Sequence, residues 1–239
     1  MDNLTKLYQH GTLAMLIEGM LKGTMTMKDL LEHGDTGLGT GEGLHGELVV
    51  LDGHPYLAQA DGTILEAGPD FVVPYASVHF QKPEVSIKVE MENVRQADLH
   101  ERICEFYPYE NIFYGITIRG EFRDVNTRIV KKQCPPYPKL VEVAEQQATF
   151  HKDHVKGAVV GYFSPELFNG SAVSGNHVHF VADDKSIGGH LLDFELVKGE
   201  VMIQPFSTIE THFPLDYKEF MCGKINLHTL ADELERSEK

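Results

Sequence analysis

A chain of 239 residues, 42% hydrophobic and 24% charged, is long enough to bury a sizeable core as one large domain or two small packed ones. Its 36 Asp and Glu against 21 Lys and Arg give a formal net charge of −15, which argues against nucleic acid and anionic membranes as partners and obliges any anionic substrate to find a local cation. No run reaches the ~18 consecutive apolar residues of a membrane span, and three scattered cysteines, Cys104, Cys134 and Cys222, read as reduced thiols of a cytoplasmic protein.

Residues 3–22 carry apolar side chains at near-helical spacing, weakened by Gly11 and Gly19. Within them "LAMLIEGML" is short, interrupted by Glu18, and lacks the basic start and cleavage site of a signal peptide. "TMKDLLEHG" predicts a short helix with Thr26 as N-cap, Asp29 three residues on and Gly34 past the end. The glycine-rich stretch Gly34–Gly46 reads as a loop, flexible or shaped for close backbone approach to a ligand. It lacks the Lys-Ser/Thr ending of a phosphate loop, so nucleotide binding is rejected.

From Glu47 the texture is β. "ELVVLDG", "PYLAQADG", "SVHFQ" and "VSIKVEM" predict strands, with hairpin signals at Asp52-Gly53 and Asp61-Gly62. "NVRQADLHERICEFYP" predicts an amphipathic helix burying Leu99, Ile103 and Phe106 and stopping near Pro108. "NIFYGITIRGEF" and "NTRIVKKQ" predict two further strands, "CPPYP" a boundary, and "KLVEVAEQQ" a short helix. Strands return in "GAVVGYFSPELFNG", "NHVHFVADD", "HLLDFELVKGEVMIQPF", with a turn at Lys198-Gly199, and "STIETHFPL". The tail "LHTLADELERSEK" reads as a polar helical end. The expected fold class is α+β, mostly β: mixed or antiparallel sheets forming two packed β-rich subdomains with a few covering helices. The expected division is residues 1–134, with leading helices, and 135–239.

Chemistry concentrates in "SGNHVHFVADDKSIGGH", Ser174–His190. On a strand, His177 and His179 share one face while Val178 and Phe180 share the other. The turn "DDKSIGG" returns the chain so that His190 can stand opposite the pair. Three neutral imidazoles from two paired strands form a facial triad for a divalent cation, with positions left open for substrate. A single strand histidine is more commonly a satisfied polar residue; the third histidine across a tight hairpin is what favours the metal. A cupin-like barrel also uses His-x-His, usually with a Glu a few residues on; here Asp183 and Asp184 stand there instead.

"GTGEGLHGELVVLDG" (Gly39–Gly53), "NTRIVKKQ" (Asn126–Gln133), "VVGYFSPE" (Val159–Glu166) and "VSGNHVHFVADDKSIGGH" (Val173–His190), in this order and spacing, resemble the acetolactate decarboxylase family, which usually has Asp where this chain has His45. The resemblance implies a zinc enzyme that converts 2-acetolactate to (R)-acetoin and CO2 in acetoin and butanediol biosynthesis, built as a dimer of subunits with the metal between two β-rich halves. It implies that His177, His179 and His190 bind Zn2+, that Thr40, Glu47 and Arg128 line the substrate site, and that a carboxylate of the C-terminal tail, Glu235 or Glu238 with Glu235 preferred, reaches back to it.

The chemistry is coherent without the family. A zinc ion chelating the ketone oxygen and the hydroxyl of acetolactate can stabilise the enediolate left by loss of CO2. That species needs one proton on one face, for which Glu47 and Arg128 are the candidates; each alone would read as ordinary, a solvated edge residue and a surface ion pair. Two other expectations stand beside this one: a non-catalytic protein with a structural metal, disfavoured because no Cys lies near the hairpin, and a cupin-like iron dioxygenase.

Overall fold

The computed structural model describes residues 5–108, 110–144, 146–226, 229, 230 and 233. In chain order the elements are β1 (Lys6–His10), α1 (Leu13–Ile17), β2 (Met25–Thr26), α2 (Met27–Leu31), β3 (Thr36–Thr40), β4 (Glu47–Leu51), β5 (His54–Ala58), β6 (Ile64–Glu66), β7 (Val72–Val73), β8 (Tyr75–His79), β9 (Ile87–Arg95), α3 (Gln96–Cys104), β10 (Tyr114–Ile129), α4 (Leu140–Ala144), β11 (Ala148–Ser164), β12 (Gly175–Ala182), β13 (Gly188–Pro205), β14 (Thr208–His212) and α5 (Lys218–Cys222). The fold is α+β and mostly β, as expected.

Two large sheets hold the strands. The first runs β14-β1-β8-β3-β4-β5-β6; the second runs β10-β11-β12-β13-β9, and the additional pairing of β10 with β13 closes four of its strands on themselves. The interior of this closed sheet is packed with Phe122, Phe180, Phe194, Leu191, Leu196 and Val178, while Leu99 and Ile103 of α3 belong to the same core. Its outer face presents Ala158, Val160 and Val181 to Val49 and Leu51 of β4. The chain passes from the first sheet to the second between His79 and Ile87, well ahead of the boundary expected at Cys134. The reason is that β9 and β10 find their hydrogen-bond partners on β13 and β11, and β14 returns to pair with β1.

Local signals hold where the chemistry is local. Thr26 caps α2, its hydroxyl accepting from the Asp29 N–H. Asp52 and Gly53 both have positive φ, 53° and 80°, in the two-residue turn joining β4 to β5. Other expectations yield to tertiary pairing. Residues 6–10 form a strand rather than the start of a helix, because β1 is gripped by β14 on one side and β8 on the other. Gly34–Gly46 is only partly loop, since "TGLGT" is the fully buried strand β3. A Cβ at Gly39 would lie 2.6 Å from the Tyr75 carbonyl oxygen, so glycine here admits a neighbouring strand. Lys198-Gly199 makes no turn; β13 runs straight through it, and a Cβ at Gly199 would stand 2.9 Å from the Cα of Gly120 on β10. Likewise "NIFYGITIRGEF" and "NTRIVKKQ" merge into the single strand β10. Phe106 lies beyond the last turn of α3 and is 45% exposed; Tyr107 is buried in its place.

Tyr162 of β11 pins the two sheets together. Its hydroxyl lies 3.2 Å from the carbonyls of Thr36 and Ser77 and 2.9 Å from Nδ1 of the buried His79. Carbonyls only accept, so the hydroxyl donates to them and receives the His79 Nδ1–H. Burial pushes the His79 pKa down to about 3, so the ring is neutral. Tyr162→Phe should therefore lower stability by about 1–3 kcal/mol, the cost of stranding buried polar groups. The urea midpoint should fall with an unchanged slope; an unmoved midpoint would show that the contact carries no net stability.

Candidate metal centre

The three histidines meet because β12 and β13 pair over His179↔His190, Phe180↔Gly189 and Val181↔Gly188. Strand alternation sends Val178, Phe180 and Ala182 into the core and turns His177 and His179 to the outer face, toward the first sheet. Gly189 has φ 129°, and a Cβ there would lie 2.9 Å from the Arg128 carbonyl oxygen. The glycine thus lets β13 close onto β10, bringing His190 into register with Arg128. Ring centroids are 5.2 Å (His177–His179), 5.1 Å (His177–His190) and 5.4 Å (His179–His190), a nearly equilateral arrangement. One ring nitrogen from each lies within 4.8 Å of the others.

The electronic state suits a cation. His179 Nδ1 stands 2.9 Å from the carbonyl oxygen of Leu48, which can only accept. Nδ1 therefore carries the proton and Nε2 presents its lone pair to the site. Burial, and then the Arg128 charge, push the His177 pKa down to about 3. The His179 pKa is held well below its ordinary value by burial first, then by His177 and Arg128, against the opposing Leu48 hydrogen bond. Both imidazoles are neutral at neutral pH, as ligands must be. Three nitrogen donors on one side of a cavity, with an oxygen donor beside them, fit zinc or a similar borderline divalent ion with open positions.

Glu47 and Thr40 come from the two ends of the turn before β4. Gly43, Leu44 and Gly46 all have positive φ, 67°, 61° and 78°, a conformation that glycine accepts readily and Leu44 adopts against its preference. Thr40 pairs with Glu47 across β3 and β4, and its hydroxyl donates to the Gly46 carbonyl at 2.8 Å, fixing the residue before Glu47. Glu47 Oε2 then sits 3.4 Å from His179 Nε2. His45, the departure from the family pattern, turns its Nε2 to Gln59 Oε1 at 3.1 Å and does not line the cavity.

Arg128 is 4% exposed, its Nη1 donating to Gln147 Oε1 at 2.9 Å. Gln147 sits in the connection between α4 and β11, where no sequence signal marks it. Thr40, Glu47, Arg128 and the three histidines all line one cavity of about 470 Å³, counting the solvent open to it, walled by Leu13, Leu16, Leu44, Tyr75, Val130 and Leu140. Tyr75 and the leucines escaped sequence reading because they resemble any core residue. Leu230 packs into the same apolar cluster, and Glu233 stands 3.6 Å from the Lys139 ammonium, so the described part of the tail reaches the rim; Glu235 and Glu238 lie outside the described residues. Asp184 caps its own turn, accepting from the Ser186 N–H, and neither it nor Asp183 lines the cavity.

Residues 7–227 match the profile of the family described as alpha-acetolactate decarboxylase. The alpha-acetolactate decarboxylase of Lactococcus lactis subsp. cremoris is 36% identical over 238 residues, covering 100% of both chains. That of Bacillus licheniformis is 33% identical over 99% of this chain and 92% of its own. The crystal structure of the Bacillus subtilis alpha-acetolactate decarboxylase superposes with a TM-score of 0.93 at 31% identity, covering 98% of this chain and 99% of that one. A Staphylococcus aureus protein of unknown function, described as similar to alpha-acetolactate decarboxylase, gives 0.93 at 38% identity over 98% and 100%. These likenesses favour neither the cupin-like dioxygenase nor the non-catalytic metal protein.

Removing one imidazole should empty the centre without unfolding the chain, because the core of the closed sheet lies on the opposite face of β12. His179→Ala is expected to lose the one metal equivalent bound at this centre, read by elemental analysis as the difference from the native chain, while keeping a cooperative melt. A metal content equal to that of the native chain would place the ion elsewhere.

Proposed function

The chain belongs to the alpha-acetolactate decarboxylase family, a family of carboxy-lyases, and from that premise we propose that it converts 2-acetolactate to (R)-acetoin and CO2, in acetoin and butanediol biosynthesis, using a zinc ion held by His177, His179 and His190. The observation that carries this reading is the convergence of three imidazoles, those of His177 and His179 held neutral, with a carboxylate and a buried guanidinium in one small cavity. When bound there, zinc supplies a Lewis acid for the oxygens of the substrate and takes up the charge that develops as CO2 leaves.

The remaining work falls to the chain. Arg128 supplies the local cation that a protein of net charge −15 needs to draw in an anionic substrate. Its grip on the carboxylate must be loose, because CO2 leaves neutral and a strong ground-state contact would oppose its departure. Gln147, accepting from Nη1, holds one edge of the guanidinium in place. The carbon that loses CO2 must gain one proton on one face. Glu47, oriented by Thr40 through the Gly46 carbonyl, is the donor placed beside the histidines. The leucine wall keeps bulk water from delivering that proton to either face, which is what a single enantiomer requires. Glu235 completes the proposal as the tail carboxylate, supported by the seating of Leu230 on the rim. The same reading makes the working form a cytoplasmic homodimer.

The direct test is acetoin and CO2 formation from racemic 2-acetolactate under nitrogen. Turnover should proceed without oxygen, stop after chelation and return with zinc; a zinc-loaded protein that is inactive, or active only with oxygen, would falsify the proposal.

Three substitutions separate the roles, with metal content confirmed in each. Glu47→Gln should keep the metal and lose about two to four powers of ten in kcat, the usual scale of general acid–base catalysis. Arg128→Ala should lower kcat as well as raise KM, and Arg128→Lys should recover little, since it restores charge without the fork. A rise in KM alone would confine Arg128 to binding, and unchanged turnover in Glu47→Gln would move the proton donor elsewhere.

A further inference from the structure

Where α3 packs on the core of the closed sheet, three unlike donors come together. His100 and Cys104 stand one turn apart on α3, Glu110 returns from the loop that follows, and one donor atom from each lies within 4.8 Å of the others. Cys104 Sγ is 3.6 Å from His100 Nε2, and Glu110 Oε1 is 3.9 Å from the same nitrogen. Tetrahedral zinc, with bonds of about 2.3 Å to sulfur and about 2.0–2.1 Å to nitrogen or oxygen, sets a sulfur–nitrogen edge of about 3.6 Å and a nitrogen–oxygen edge of about 3.4 Å. The first edge is already in place. The second needs a shift of about half an ångström from an exposed loop carboxylate.

Two further features fit a ligand here. The His100 ring stacks on Phe163 at 5.2 Å and 14°, and Phe163 stacks on Tyr114 at 4.7 Å and 9°. The ligand ring is thus oriented by core packing, a task that outer hydrogen bonds perform at many metal sites. The Tyr114 hydroxyl is buried with no hydrogen-bond partner among the described residues, and it lies within electrostatic reach of Cys104, Tyr107 and Glu110. A buried O–H without an acceptor is costly, and it marks a polar group left unsatisfied in the neighbourhood of the three donors.

We propose that His100, Cys104 and Glu110 form a second cation site, which takes a zinc-class divalent ion in tetrahedral coordination with solvent as the fourth ligand. The ion ties the loop after α3 to its helix. The site shares no residue with the three-histidine centre, and it contains sulfur where that centre has none.

Cobalt(II) added to the full-length reduced protein, without oxygen, reads the difference. Coordination at the second site gives a near-ultraviolet thiolate-to-cobalt charge-transfer band whose final amplitude corresponds to one cobalt–thiolate bond per chain, whatever happens at the histidine centre. The band should vanish in Cys104→Ala and persist when Cys134 and Cys222 are both replaced by alanine. Glu110→Ala, at an exposed position that leaves the fold intact, should weaken cobalt binding there by about tenfold or more, the scale on which even outer partners act. No band in the native protein, a band that survives Cys104→Ala, or unchanged affinity in Glu110→Ala would each overturn the three-donor site.

Discussion

The pairing of β12 with β13 over three residue pairs is the constraint on which the site depends. Once β10 pairs with both β11 and β13, the second sheet is closed, and side chains on its strands alternate between the core and an outer face that the first sheet covers in part. Val178 and Phe180 fill the core, so His177 and His179 must face outward. Val181, two residues further along that face, packs with Val160, Val49 and Leu51 and draws β4 over the histidines. The apolar contact between the sheets is therefore what buries the imidazoles, and what delivers the Leu48 carbonyl and the Glu47 carboxylate to them.

Burial and charge act together on those rings. Taking an imidazole out of water penalises its cationic form, and the nearby guanidinium of Arg128 penalises it again, so the lone pairs stay available. Arg128 thus serves twice: it disfavours protons on the ligands and gives an acidic protein one buried positive charge for an anion. The surrounding wall is hydrocarbon, which strengthens each of these interactions by excluding water. Such a centre is a poor place for a surface ion pair and a good one for charge that appears only during a reaction.

Glycine works at this site in two distinct ways. Gly39 and Gly189 have no Cβ where another backbone approaches, which allows β3 to lie against β8 and β13 to close onto β10. Gly43 and Gly46 instead supply positive φ in the turn that aims Glu47. Leu44 takes the same conformation with a bulky side chain, and that side chain forms part of the cavity wall. The strain is stored beside the reacting groups, a common location for it.

How much could be read before the chain is folded follows the range of the forces involved. The period-two spacing of His177 and His179, the return to His190, the Thr26 cap and the Asp52-Gly53 turn are local geometry, fixed within a few residues by backbone sterics, and the sequence alone determined them. The family motifs carried Thr40, Glu47 and Arg128 to the same cavity, although nothing in their own neighbourhoods distinguishes them from an ordinary threonine, edge glutamate or surface arginine. Tertiary structure alone decided that residues 6–10 are a strand and that the glycine-rich stretch after Gly34 contains the buried strand Thr36–Thr40. It also decided that Lys198-Gly199 is no turn, and that Gln147, Tyr75 and the leucine wall belong to the site. Each of those outcomes rests on partners more than a dozen residues away, where hydrogen bonding and exclusion of water between sheets outweigh the preferences of any short segment.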